Sequence, residues 1–121
     1  MHYRRLGRTE LQVSEIGVGC EWFEHKSPEE VSAIIDAARE QGMNVMDCWV
    51  SDPRVRSMMG DAIAGDRGRW IIQGHIGSTW QDGQYVRTRE VEPVERAFDD
   101  LLARFRTDYI DLGMIDRKSV V

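Results

Sequence analysis

Residues 44–60, NVMDCWVSDPRVRSMMG, have the pattern of a short buried strand that turns directly into a helix. An apolar pair precedes Asp47, and Asp52-Pro53 is a favoured combination at the start of a helix. In α/β folds the functional side chains lie at the carboxyl ends of parallel strands. The stretch therefore predicts a β-α unit with Asp47 at its functional end.

The composition predicts one folded domain over residues 1–121. Hydrophobic side chains make up 41% of the chain and charged ones 31%, and the net charge of −5 argues against a nucleic-acid partner. No apolar run is long enough to cross a bilayer, and no signal peptide precedes the charged Arg4-Arg5 segment. Cys20 and Cys48 are too few for a disulfide scaffold. We therefore expect a cytoplasmic protein with reduced thiols.

The segment before the opening stretch has the same strand-then-helix order. Residues 2–14 predict a β-hairpin and residues 15–20 a short apolar strand. Ser27 and Glu30 form a capping-box pair at the start of a helix, which Gly42 ends. This segment supplies a hairpin and a second β-α unit.

The segment after it contains two further strands. A helix from Pro53 is followed by a strand over 70–74, a long loop over 76–90 that we predict to be a lid, and a strand over 108–115. A third helix lies before the last strand, with the apolar stripe Val94, Ala97, Phe98, Leu101, Leu102 and Phe105. Residues 15–116 thus give the order β-α-β-α-β-α-β, which implies a parallel sheet.

These elements predict an α/β fold that is half of a (βα)8 TIM barrel. It would consist of an N-terminal hairpin followed by four parallel strands and three helices. A complete barrel needs roughly 250 residues, and the chain has 121. Helices on one side alone would leave the other sheet face uncovered, whereas parallel sheets are normally buried on both faces.

Several motifs resemble the aldo-keto reductase family. They are YRRLGRTELQVSEIGVG, GMNVMD with MMGDAI, and DLLARFRTDYIDLGMI. The resemblance covers residues 3–115 and only the first half of that family's barrel. IQGHIGSTW and GQYVRTRE resemble the branch whose longer members append a ferredoxin-type iron–sulfur segment. That segment needs clustered cysteines, and this chain has none after Cys48.

The resemblance implies an oxidoreductase that reduces a small carbonyl substrate with NADPH, using an aspartate, a tyrosine, a lysine and a histidine. Asp47 matches the aspartate, while Asp52, His75 and Asp116 stand at the other three positions. We therefore expect impaired activity. The family's NADPH site draws mainly on the second half of the barrel, so we expect this chain to bind NADPH weakly or not at all, and its cofactor-binding residues stay unassigned.

Asp47 and His75 are the candidate catalytic residues. Asp47 could act as a general base or merely accept backbone hydrogen bonds, and His75 could donate a proton or simply end its strand. Asp52 is more simply explained as a helix cap, because a carboxylate is a poor substitute for a phenol as proton donor at neutral pH. Asp116 has the pattern of a solvated terminus.

Two further residue sets follow the predicted strands. Cys20, Cys48, His75 and Asp116 could together bind zinc or iron, but they lack close ligand spacing, so we predict no metal site. Aromatic side chains in the loops could line a pocket for a flat ligand or pack a lid: Trp22, Trp49, Trp80 and Tyr85. A basic set could bind an anion: Arg67, Arg69, Arg87 and Arg89. The simpler interpretation of the last two is a solvated helix entrance.

The open sheet predicts self-association. The strands near 16–19 and 109–115 would each present an open edge, and we expect Val18, Met46 and Ile72 on the uncovered inner face. A homo-oligomer formed through these edges would bury both. The alternatives to an impaired reductase are therefore a non-catalytic self-assembling half-barrel, or a truncated product without a function of its own.

Overall fold

The computed structural model describes residues 1–115. It contains three helices, α1 (Pro28–Glu40), α2 (Pro53–Ala62) and α3 (Val91–Phe105). Its strands are β1 (Tyr3–Arg5), β2 (Gln12–Ser14), β3 (Val18–Gly19), β4 (Val45–Cys48), β5 (Ile71–Ile76), β6 (Ser78–Gln81), β7 (Gln84–Arg87) and β8 (Leu112–Ile115). None of the helices within this range has the length and hydrophobicity needed to cross a bilayer.

The central sheet has four parallel strands in the order β3-β4-β5-β8. The hairpin of β1 and β2 precedes this sheet. Helix α1 follows β3, and helix α2 follows β4. The third connection contains β6, β7 and α3. This arrangement confirms the predicted half-barrel with its N-terminal hairpin, four parallel strands and three helices.

The hydrophobic core lies between one face of the sheet and the helices. Val18, Met46 and Ile72 share one rung of the sheet and belong to this core, together with residues of all three helices. The prediction that they lie on the uncovered inner face is therefore wrong. Side chains alternate between faces along a strand, so the opposite face carries their neighbours in sequence, including Asp47 and Gln73.

Helix caps form where the sequence predicts them. The Ser27 side chain accepts a hydrogen bond from the Glu30 backbone N–H (3.2 Å), and the Glu30 carboxylate accepts one from the Ser27 N–H (2.8 Å). Gly42 follows α1 with a φ of +79°, a conformation that glycine adopts without strain. At the start of α2, Asp52 Oδ1 accepts from the Arg54 N–H (2.8 Å).

Helices α2 and α3 approach closely. A Cβ placed on Gly60 would lie 2.1 Å from the carbonyl oxygen of Arg104, so only glycine fits there. The side chain of Arg56 is 2% exposed and donates to the carbonyl oxygens of Val50 and Ala97 and to the Asp100 carboxylate. This guanidinium thus joins the β4–α2 connection to α3.

The segment 76–90, predicted as a loop, contains a second hairpin. Strands β6 and β7 pair antiparallel, with Trp80 opposite Tyr85, and β6 packs against α3. The two-residue turn is Asp82-Gly83, with φ values of +50° and +77°. Asp-Gly between alternating side chains is a strong hairpin signal, so the sequence contained the evidence for it.

Candidate active site

The two candidate catalytic residues are brought together on neighbouring strands. Asp47 of β4 pairs in register with Gln73 of β5, which places His75 two residues further along the same face. His75 Nε2 lies 2.9 Å from Asp47 Oδ1, and Gln73 Nε2 donates to the same oxygen at 2.9 Å. The carboxyl ends of the strands therefore present an aspartate–histidine pair that a glutamine supports.

The position of the hydrogen in this pair follows from the donors present. A carboxylate oxygen only accepts hydrogen bonds, so His75 Nε2 must carry the hydrogen when Asp47 is ionised. His75 Nδ1 is buried and has no hydrogen-bond partner within residues 1–115. The contact with Asp47 therefore orients the imidazole through Nε2.

The pair is open on the aspartate side. The side chain of His75 is 9% exposed, whereas that of Asp47 is 41% exposed. Met114 of β8 contributes its sulfur 3.9 Å from Gln73 Nε2 and is itself 41% exposed. A ligand that approaches from the uncovered sheet face would therefore meet Asp47 first.

Asp52 lies outside this pair. Its carboxylate caps α2 and lies 4.0 Å from Arg54 Nη2. The predicted capping role is thus confirmed. Asp116 falls outside the described residues.

The cysteines point to the opposite face from Asp47. Cys20 and Cys48 are buried in the core. Burial raises the pKa of Cys48 to about 12 and raises that of Cys20 well above its usual range. Both thiols therefore stay protonated near neutral pH. Within residues 1–115 no three His, Cys, Asp or Glu side chains come together as metal ligands.

The structure separates the predicted basic set. Arg67 and Arg69 precede β5, at the amino ends of the strands, whereas Arg87 ends β7 beyond their carboxyl ends. Arg67 donates to the Asp111 carboxylate (3.1 Å), and Arg69 donates to the carbonyl oxygen of Arg39 (2.6 Å). Strand direction places Arg67 and Arg69 at the opposite end of the sheet from Arg87, so the four arginines do not form a single anion site.

The loop aromatics do come together. One groove of about 120 Å³ is lined by Trp22, Trp49, Trp80 and Tyr85. Trp49 and Tyr85 lie with ring centroids 5.0 Å apart, tilted by 39°. The groove is smaller than the roughly 300–1,000 Å³ of a site for a drug-sized ligand, so a large flat ligand does not fit inside it. We define these four residues as the aromatic groove.

Comparisons with known proteins give one consistent result. No family model matches the chain. The Bacillus subtilis protein YqkF, described as an uncharacterized oxidoreductase, is 34% identical over an alignment 116 residues long that covers 93% of this chain and 38% of that protein. A candidate aldo-keto reductase from Pseudomonas aeruginosa superposes with a TM-score of 0.82 at 30% identity, covering 93% of this chain and 46% of its own. The chain is related to the aldo-keto reductases.

A third comparison agrees with this result. The aldo-keto reductase AKR11C1 from Bacillus halodurans, in its holo form, superposes with a TM-score of 0.81 at 29% identity. The match covers 93% of this chain and 39% of that reductase. The chain thus spans less than half the length of these relatives. In a closed (βα)8 barrel the face opposite the helices is the barrel interior, and this is the face that carries Asp47 and His75.

Proposed function

We propose that the chain carries part of the acid–base machinery of an aldo-keto-reductase-like oxidoreductase that acts on a small carbonyl compound, and that its own turnover is impaired. The observation that supports this proposal is the 2.9 Å contact between His75 Nε2 and Asp47 Oδ1 at the carboxyl ends of the strands. By resemblance, these residues stand at the family's lysine and aspartate positions.

The proton side of the reaction is all that these residues can supply. Reduction of a carbonyl group needs a proton at the oxygen, and an imidazole is a suitable donor near neutral pH. The hydrogen on His75 Nε2 is, however, already donated to Asp47, and the other ring nitrogen, Nδ1, is buried. Proton delivery therefore requires this contact to open. Asp52, at the tyrosine position, caps a helix instead.

No site for the dinucleotide that the family resemblance implies is assigned among the described residues, because by resemblance that site draws mainly on the second half of the barrel. The phosphates of the dinucleotide need converging cations, and the predicted arginine set is split between the two ends of the sheet. We therefore derive no hydride step from these residues.

The test is a titration of the purified chain with NADPH, combined with a carbonyl-reduction assay. We expect no binding tighter than the millimolar range, a free energy of about −4 kcal/mol, and turnover that is weak or absent. A micromolar dissociation constant with reproducible turnover would show that the chain is a competent reductase, which contradicts the impairment.

A second candidate function is non-catalytic self-assembly, which rests on a different observation. Strands β3 and β8 form the two edges of the sheet, and apolar residues at these edges are exposed, among them Ile16 (57%) and Ile115 (76%). Unpaired edges template pairing with another chain. Measurement of the native mass distinguishes this candidate from a monomeric protein.

A further inference from the structure

The aromatic groove is built by three segments that are far apart in the chain. Trp22 lies in a short 3₁₀-helix, Glu21–His25, which follows β3. Trp49 follows β4, and Trp80 and Tyr85 face each other across the hairpin of β6 and β7. Cross-strand partners lie on the same side of a hairpin, so the pair presents two rings to the groove.

The rings leave an open space between them. Trp49 and Tyr85 meet at 39°, so their faces form a corner and do not stack in parallel. Trp22 is 68% exposed, and its ring centroid lies 5.5 Å from that of His25. Trp80 is 37% exposed. Exposed indoles around a small cavity are typical of a binding site rather than of a packed core.

The charged side chains that line the groove are both acidic. Glu21 and Glu24 line it together with the four rings. Glu24 Oε1 lies 3.2 Å from His25 Nε2, whereas Glu21 makes no ion pair within residues 1–115. Arg54 and Arg87 lie nearby, donating to the carbonyl oxygen of Glu24 and to Tyr85 Oη, but neither lines the groove.

We propose that the aromatic groove binds a small organic cation, a free methylated ammonium compound. Aromatic faces attract ammonium groups, and several rings around one cavity are the usual means of recognising quaternary ammonium ligands. Glu21 and Glu24 add a negative potential that favours a cation and repels an anion. The volume of about 120 Å³ suits a headgroup rather than a large flat ligand. This inference does not depend on the proposed reductase function.

The test is a pair of titrations of the full chain, followed through the indole N–H signals in NMR spectra. The first probe is choline, and the second is 3,3-dimethylbutan-1-ol, which has the same shape without the charge. We expect saturable shifts with choline in the indole signals of Trp22, Trp49 and Trp80. The fourth tryptophan, Trp70, is 1% exposed and donates to Asp66, so its signal should stay in place.

Two variants test the contributions separately. Trp22→Ala and Glu21→Gln should each weaken choline binding by about twofold to fivefold, as expected for one exposed cation–π or charge contact. The control is Glu40→Gln, which removes an exposed acidic charge at the end of α1 and should leave binding unchanged. An unmoved Trp70 signal shows that each variant remains folded.

Two results would overturn the proposal. Equal shifts with choline and its uncharged analogue would show that the groove selects shape and not charge. The absence of any saturable shift would show that it binds no methylated ammonium compound. Neither result bears on the NADPH titration, so failure of this proposal and failure of the reductase proposal can be told apart.

Discussion

Asp47 Oδ1 accepts hydrogen bonds from both His75 Nε2 and Gln73 Nε2, each at 2.9 Å, across the two central strands of a parallel sheet. The two donors are alternate residues of β5 and so lie on one face. One carboxylate oxygen thereby fixes the imidazole and the amide together. The site is thus organised around Asp47, and removal of either residue of the aspartate–histidine pair should change any activity that the chain has.

We expect His75→Ala to lower a confirmed carbonyl-reduction activity by roughly 10²-fold, the lower end of the range for loss of a general acid. Asp47→Asn should lower it as well, because the amide can no longer stabilise a positive imidazole. The measurement is kcat/KM of each variant beside that of Asp52→Asn, which should stay near the wild-type value. Unchanged kcat/KM in His75→Ala would remove His75 from the proposed machinery.

The capping role of Asp52 makes a separate prediction about stability. Asp52→Ala removes the acceptor for the Arg54 N–H and should lower the free energy of unfolding by about 1 kcal/mol. Asp52→Asn should be nearly silent, since asparagine caps a helix as well as aspartate does. Urea unfolding of both variants checks this. Equal destabilisation by the two substitutions would show that the charge of Asp52, and not its cap, matters.

The sequence predicts features of local origin well. The capping box of Ser27 and Glu30 and the cap at Asp52 depend on residues a few positions apart, and the structure contains both. The general position of Asp47 and His75 also follows from the sequence, because the carboxyl ends of parallel strands meet at one edge. Their 2.9 Å contact does not follow, since it depends on the register between β4 and β5.

The errors also have physical causes. Val18 lies in a strand of only two residues. The alternation of side chains along so short a strand does not show which residues face the helices. Arg67 and Arg87 are separated by strand direction, which a count of nearby arginines ignores. The hairpin of β6 and β7 replaces the predicted loop over 76–90, and its turn is the typical hairpin pair Asp82-Gly83. The groove that Trp80 and Tyr85 help to build depends on that hairpin.

The pH dependence of stability should reveal the pair of Asp66 and Arg39. The hydrogen bond from Arg39 (2.7 Å) lowers the pKa of Asp66 below its ordinary value of 3.8. A lowered pKa in the folded state means that the carboxylate contributes stability above the unfolded value, and that this contribution is lost as the pH falls through the folded value. Trp70 Nε1 also donates to this carboxylate.

We therefore expect Asp66→Asn to be less stable than the wild type at neutral pH, with the difference shrinking as the pH is lowered below about 4. Thermal unfolding of both proteins across that range is the measurement. Asp61→Asn is a suitable control, because the Asp61 side chain is exposed and pairs only with the exposed Arg106 among residues 1–115. A difference in stability that is constant with pH would mean that the carboxylate of Asp66 contributes through its shape alone.

Finally, we expect the purified chain to associate with itself through its sheet edges. Strands β3 and β8 are the edges of the sheet, and Met114 and Ile115 of β8 are 41% and 76% exposed. Two half-barrels that meet edge to edge around a two-fold axis would close eight strands and cover both open faces. Light scattering should then give about twice the 14.0 kDa mass of the chain.

Ile115→Lys places a charge on the edge and should shift the particle toward the monomer, whereas Ala33→Lys, on the exposed surface of α1, should not. A sharp monomer at high micromolar concentration, with unfolding independent of concentration, would contradict edge pairing and leave the uncovered face to be explained by another occupant.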